Sequence, residues 1–158
     1  MKSILSSALL LISLQLIAQD DLYYTSAKQV DSIPKKANTI IIEGTQSRNE
    51  YFNAITNILF EAGYGIHSSD KEQGIITTSE KSFKKGVIKL TFLIKNKRVV
   101  LRGQYNLNMS IDFGEVTSEI AWSEIMYFGM KKSPNIIAWE EMIKVANQIQ
   151  GNKVYAVK

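Results

Sequence analysis

The chain has 158 residues, a net charge of +4, one histidine and no cysteine. That length suffices for one domain with its own core, which at this size buries roughly two-thirds of the unfolded chain's surface without any covalent staple. The lack of cysteine excludes disulfides, thiol chemistry and a cysteine-linked lipid anchor.

The first eighteen residues have the form of a secretory signal. Lys2 supplies the positive start, Ile4 to Ile17 the apolar run, and Leu16-Ile17-Ala18 a small residue before the polar Gln19-Asp20-Asp21. The apolar run is short of the about 20 residues that span a bilayer. Cleavage is therefore expected, leaving an exported chain, periplasmic or extracellular, with no transmembrane segment. Residues 19–37 read as a flexible arm that ends at Pro34-Lys35-Lys36. Tyr23-Tyr24 within it is a locally packed pair, an edge strand or a binding anchor. Residues 38–158 read as a single domain.

Thr39 to Glu43 is a β-branched stretch that predicts a buried strand. The helix after it has both ends marked. Ser47 with Glu50 three residues on is a capping box. Phe52, Ile55, Leu59 and Ala62 then form one stripe, widened by Ile58, and Gly63-Tyr64 supplies the left-handed stop and its apolar partner. Ile66-His67 and Ile75 to Ser79 predict two strands joined by the polar turn Asp70 to Gly74, with a loop over Glu80 to Gly86.

Val87 to Lys95 alternates, with Ile88, Leu90, Phe92 and Ile94 on one face, and Asn96-Lys97 turns the chain. From Val99 to Phe113 every second residue is apolar apart from Gly103, which predicts one long strand with a bend or bulge at the glycine. Val116 to Trp122 continues a strand or begins a helix. The last helix starts at Ser133 with Pro134 in its first turn, carries Ile136, Trp139, Ile143, Ala146 and Ile149, and stops at Gly151. Val154 to Val157 predicts a closing edge strand. The sum is an α+β fold, a two-layer sandwich of two main helices on a curved antiparallel sheet.

A helix ending in Gly63-Tyr64, a strand, the turn Asp70-Lys-Glu-Gln-Gly74 leading into Ile75-Ile76, a long hairpin and a final helix together resemble small envelope domains. Their arrangement is TATA-binding-protein-like, or helix-grip. The layout over about Asn38 to Gln150 is similar to the repeated domain of the barrel-assembly-machinery lipoprotein and to secreted domains of unknown function. This chain departs from the former in having one copy of the unit and no lipid-bearing cysteine. The resemblance implies a non-enzymatic envelope protein and no catalytic residues.

The residues agree that catalysis has no visible seat. His67 with Asp70 and Glu72 falls short of the three or four converging ligands a metal needs. Glu140 and Glu141 are adjacent on a helix and point apart. No Gly-x-Ser-x-Gly elbow and no phosphate-binding glycine loop is present. No cofactor and no metal is expected. A hydrolase built on Glu119 to Trp122 is the remaining enzymatic reading.

The strongest local signal is basic. No Asp or Glu occurs from Lys81 to Ser110. Lys81, Lys84, Lys85, Lys89, Arg98 and Arg102 form the candidate partner-binding set, a one-sign field on one side of the domain. It suits an anionic lipid or glycan or an envelope protein. Export argues against nucleic acid. The plain alternative is a solvated strand face whose lysines guard against edge pairing. Leu93 and Val100, with Tyr127 and Phe128, are a second candidate patch. A carrier of a small apolar or amphipathic ligand between helix and sheet is the other functional class.

Overall fold

The computed structural model describes residues 33–107, 111–112, 117–118, 121–128 and 132–157. The expected signal segment, Tyr23-Tyr24 and Glu119 lie outside them.

The α+β expectation holds. Two helices, α1 (Arg48–Glu61) and α2 (Pro134–Gln148), share one core with an antiparallel sheet. Its strands are β1 (Thr39–Glu43), β2 (Ile66–Asp70), β3 (Ile75–Thr78), β4 (Lys81–Phe83), β5 (Gly86–Lys95), β6 (Arg98–Asn106), β9 (Ser123–Glu124) and β10 (Asn152–Ala156). Their order is β10-β1-β6-β5-β3-β2, with β4 beside β5 and β9 beside β6. A separate hairpin joins β7 (Ile111–Asp112) to β8 (Thr117–Ser118).

The helix caps form as their residues dictate. The Ser47 N–H donates to Glu50 Oε2 at 2.7 Å, and the Ser47 hydroxyl accepts from the Glu50 N–H. The two Ser47 hydrogen bonds hold the Glu50 carboxyl below its ordinary pKa, the backbone one foremost. At the other end Gly63 has φ +75°, which lets Tyr64 N–H reach Leu59 O and Gly63 N–H reach Phe60 O. These are the two bonds of a Schellman stop. The Ser133 hydroxyl likewise accepts from Ile136 N–H at the start of α2.

Neither helix has a basic residue in its last turn. Each borrows one from a strand. Lys81 Nζ on β4 donates to Ala62 O at 2.6 Å, and Lys153 Nζ on β10 donates to Ile149 O at 2.8 Å and Gly151 O at 2.9 Å. Terminal carbonyls lack partners within a helix and carry its negative pole, so an ammonium there satisfies both.

Helices cover one face of the sheet. Ile40, Ile42, Ile76, Ile88, Leu90, Phe92, Ile94, Val99 and Leu101 meet Ile55, Leu59, Trp139 and Met142 there. The outer face carries an aliphatic row running across the strands. Cross-strand partners share a face, and the registers Val154↔Ile41, Ile41↔Val100, Val100↔Leu93 and Leu93↔Ile75 join five strands in one line.

Several local expectations change. The long strand ends at Asn106, and Ile111–Asp112 pairs with β8 in the other sheet. Strict alternation records a wet and a dry side; it cannot say that the partner strand stops. Gly103 makes no bulge, because the β5–β6 register runs unbroken through Leu90↔Gly103. Its lack of a side chain has another cause: a Cβ would lie 2.6 Å from Ile125 Cδ1 and 3.1 Å from Leu90 Cδ2. The loop after Glu80 contains β4, paired to β5 through Lys81↔Ile88. The helix stripe centres on Tyr51, Ile55 and Leu59, with Phe52 and Ile58 only half-buried. Tyr51 enters the core because its hydroxyl reaches Gln150 O at 3.2 Å.

Candidate functional site

The six basic candidates do not form one face. Lys81 pairs in register with Ile88, on the helix-covered side, where its ammonium also stands 4.3 Å over the Tyr64 ring. Lys89, Arg98 and Arg102 lie on the outer side with Thr91 and Val100. Most are already engaged. Lys89 Nζ is 3.0 Å from Glu80 Oε1 and 4.0 Å from the Trp122 ring centre. Arg98 bridges to Glu43 at 2.9 Å, and Arg102 Nε donates to Thr39 Oγ1 at 3.2 Å. The acid-free run thus acquires carboxylates from Glu43 and Glu80, outside it in sequence. Two of the six cations, Lys89 and Arg98, stand in local ion pairs, where attraction is strongest at short range.

Lys84 and Lys85 are the exposed pair, at the turn between β4 and β5. Lys84 belongs to a different site. It borders a groove of about 700 Å³ along α2. The apolar lining is Ile33, Tyr127, Ile136, Ile137, Trp139 and Ile143, and the polar rim is Lys84, Lys132, Lys144, Glu140 and Glu141. That volume lies within the range of ligand-sized clefts, about 300–1,000 Å³.

Each wall has a local cause. Ser133 caps α2 and Asn135 Oδ1 accepts from Met126 N–H, which ties the segment Ile125–Phe128 to the helix start. Ile125 is fully buried under the sheet. Lys36 N–H donates to Tyr127 O and Tyr127 N–H to Ala37 O, so residues 33–37 are held beside Tyr127. Trp139 packs between Tyr127 and Tyr155, with ring centres 6.0 and 6.1 Å away. Its Nε1–H is buried and finds no acceptor among the described residues. On the rim Lys144 pairs with Glu141 at 2.5 Å. Lys84 and Lys132 have no ion pair among the described residues.

Tyr64, next to this region, has a buried hydroxyl without a partner among the described residues. Burial first, and then the Glu141 charge, push its pKa well above the ordinary tyrosine value. A raised acid pKa favours the neutral form. Its contribution to stability is therefore full below about pH 10 and is lost as pH rises through the folded-state value. Tyr64→Phe removes the stranded hydroxyl and is expected to stabilise the domain by about 1 kcal/mol. It should also flatten the alkaline loss, read from urea midpoints at neutral and alkaline pH. A lowered midpoint at neutral pH would show that the hydroxyl has a partner.

The remaining sequence candidates separate. Leu93 and Val100 face each other in the outer aliphatic row, whereas Tyr127 lines the groove on the helix side, so the two halves of that expected patch do not meet. His67 is exposed on edge strand β2, and Asp70 is occupied in accepting from Gln73 N–H at 2.8 Å. No group of three potential metal ligands occurs among the described residues. No helix among them is long and apolar enough to cross a membrane. The groove itself was half visible: Ile136, Trp139 and Ile143 stand on the predicted helix stripe, but Ile33, Lys84 and Tyr127 reach it only through tertiary contacts.

No protein-family model and no curated protein matches the chain. Among solved structures it is similar to a DUF4468 family protein from Bacteroides ovatus, at 15% identity and a TM-score of 0.32, over 82% of this chain and 88% of that one.

Proposed function

We propose that the chain is an exported, non-enzymatic binding domain of the cell envelope, and that it binds through the groove along α2. The carrying observation is the groove's composition. An apolar lining of ligand size is edged by two lysines, Lys84 and Lys132, that have no ion pair among the described residues. A mostly apolar cleft of this size with a few polar groups at its edge is the ordinary form of a ligand site. The export reading rests on the signal-like first eighteen residues. Two helices on one face of an antiparallel sheet support a TATA-binding-protein-like or helix-grip arrangement. The basic hairpin contributes Lys84 to this site; Lys89, Arg98 and Arg102 serve local pairs and Lys81 a helix end.

Photocrosslinking in cells tests this. A photoreactive residue at Ile137, in the groove, is compared with one at Thr91, exposed on the outer sheet face. Adducts from Ile137 and none from Thr91 are expected. Adducts from Thr91 alone, or from neither position, would overturn the groove as the binding element.

A further inference from the structure

We infer that the groove takes a single-chain amphiphile with a carboxylate head group. This rests on the binding reading above and adds the ligand's chemistry. The lining has two parts of different character. Tyr127, Ile136, Ile137 and Ile143 offer hydrocarbon and ring surface, which suits an unbranched chain held by burial of apolar area. The rim groups without an ion pair among the described residues include two donors, the ammoniums of Lys84 and Lys132.

The rim charge points the same way. Three lysines oppose two glutamates, and Glu141 is already neutralised by Lys144. That leaves Lys84 and Lys132 against Glu140. An anion at the rim gains charge-assisted hydrogen bonds from the two lysines. A cation there would meet two ammoniums that have no ion pair among the described residues. A neutral head group would leave them as they are. The complementarity therefore selects a chain ending in an anion, and a carboxylate supplies only acceptors to this donor set.

Direct titration decides it. In a Trp122→Phe background, Trp139 is the sole indole of the chain, and its emission reports the groove. The purified protein is titrated, below micelle formation, with dodecanoate, dodecanol and dodecyltrimethylammonium. Dodecanoate is expected to bind about tenfold tighter than dodecanol, with the cation weakest, and the preference should shrink at high salt. A Lys84→Gln/Lys132→Gln variant, altered only at exposed positions, should keep its circular dichroism and bind dodecanoate and dodecanol within about twofold of each other. Equal binding of all three by the unaltered lysines, or tighter binding of the cation, would overturn the head-group assignment while leaving the groove a binding site. No change in Trp139 emission with any of the three would overturn both.

Discussion

Gly103→Val is expected to destabilise the domain by about 3 kcal/mol, the upper end of the usual range for forcing extra atoms into a packed core. Gly103 lies in mid-β6, on the face that meets α2. Even the first added carbon would sit 2.6 Å from Ile125 Cδ1, 3.1 Å from Leu90 Cδ2 and 3.3 Å from Met142 Sδ. Three elements would have to move together: the segment after β9, strand β5 and helix α2. The backbone is not the obstacle, since Gly103 is in regular register opposite Leu90 and valine is a good strand former. Propensity alone therefore predicts stabilisation, and the two physical effects have opposite signs. Packing wins because strand propensity spans only about 1 kcal/mol. The milder Gly103→Ala isolates the contact. Ile125→Val deletes the methyl group nearest the new carbon, so the double variant should be more stable than the sum of the two single losses by about 1 kcal/mol. Urea unfolding of the four proteins measures that coupling. Additive losses would mean that Ile125 is not the group in the way.

Trp139→Ala should cost about 4 kcal/mol, as for other buried tryptophans. The ring is 1% exposed and stands between Tyr127 and Tyr155, which lie on different elements. Its removal opens a cavity beneath the groove and frees both tyrosines. Trp139→Phe keeps a ring and removes the orphan N–H, so its loss should be well under half as large, with one unfavourable term gone. The pair of variants separates packing from polarity. A loss below about 1 kcal/mol for the alanine variant, the level of a surface change, would contradict the packing of α2 described above. The same phenylalanine variant bears on binding: if the indole N–H meets a ligand acceptor, Trp139→Phe weakens binding while barely moving the midpoint.

The parts of the fold that local chemistry controls were readable before the structure. Ser47 with Glu50, Gly63 with Tyr64, and Ser133 with Pro134 mark helix ends through bonds made within a few residues. The alternation of Ile88, Leu90, Phe92 and Ile94 names a buried face because burial on a strand has a period of two. What escaped depends on partners distant in sequence. The basic run from Lys81 to Arg102 looks like a field until Glu43 and Glu80 are folded against it. Lys81 looks like a surface cation until the end of α1 arrives above it. Gly103 looks like a bulge until Ile125 fills the space beside it. The groove shows the same division: its helix stripe could be read from spacing, whereas Lys84 and Ile33 come from loops whose destinations no period records.

The position of β1 bears on how the chain reaches this state. It is the first strand described, yet it lies between β6 and β10, with Thr39 opposite Ala156. One of its edges stays open until β10 is available. Helices α1 and α2 and the β5–β6 hairpin form from near neighbours, but the strand that locks them is closed by β10, more than a hundred residues later. Such long-range pairing slows folding, because the ends must meet before their contacts repay the lost freedom. A chain interrupted before β10 is left with one open edge on an aliphatic strand, a template for sticking to its own kind. Arrival of β10, rather than any one helix, is the event that makes the sheet safe.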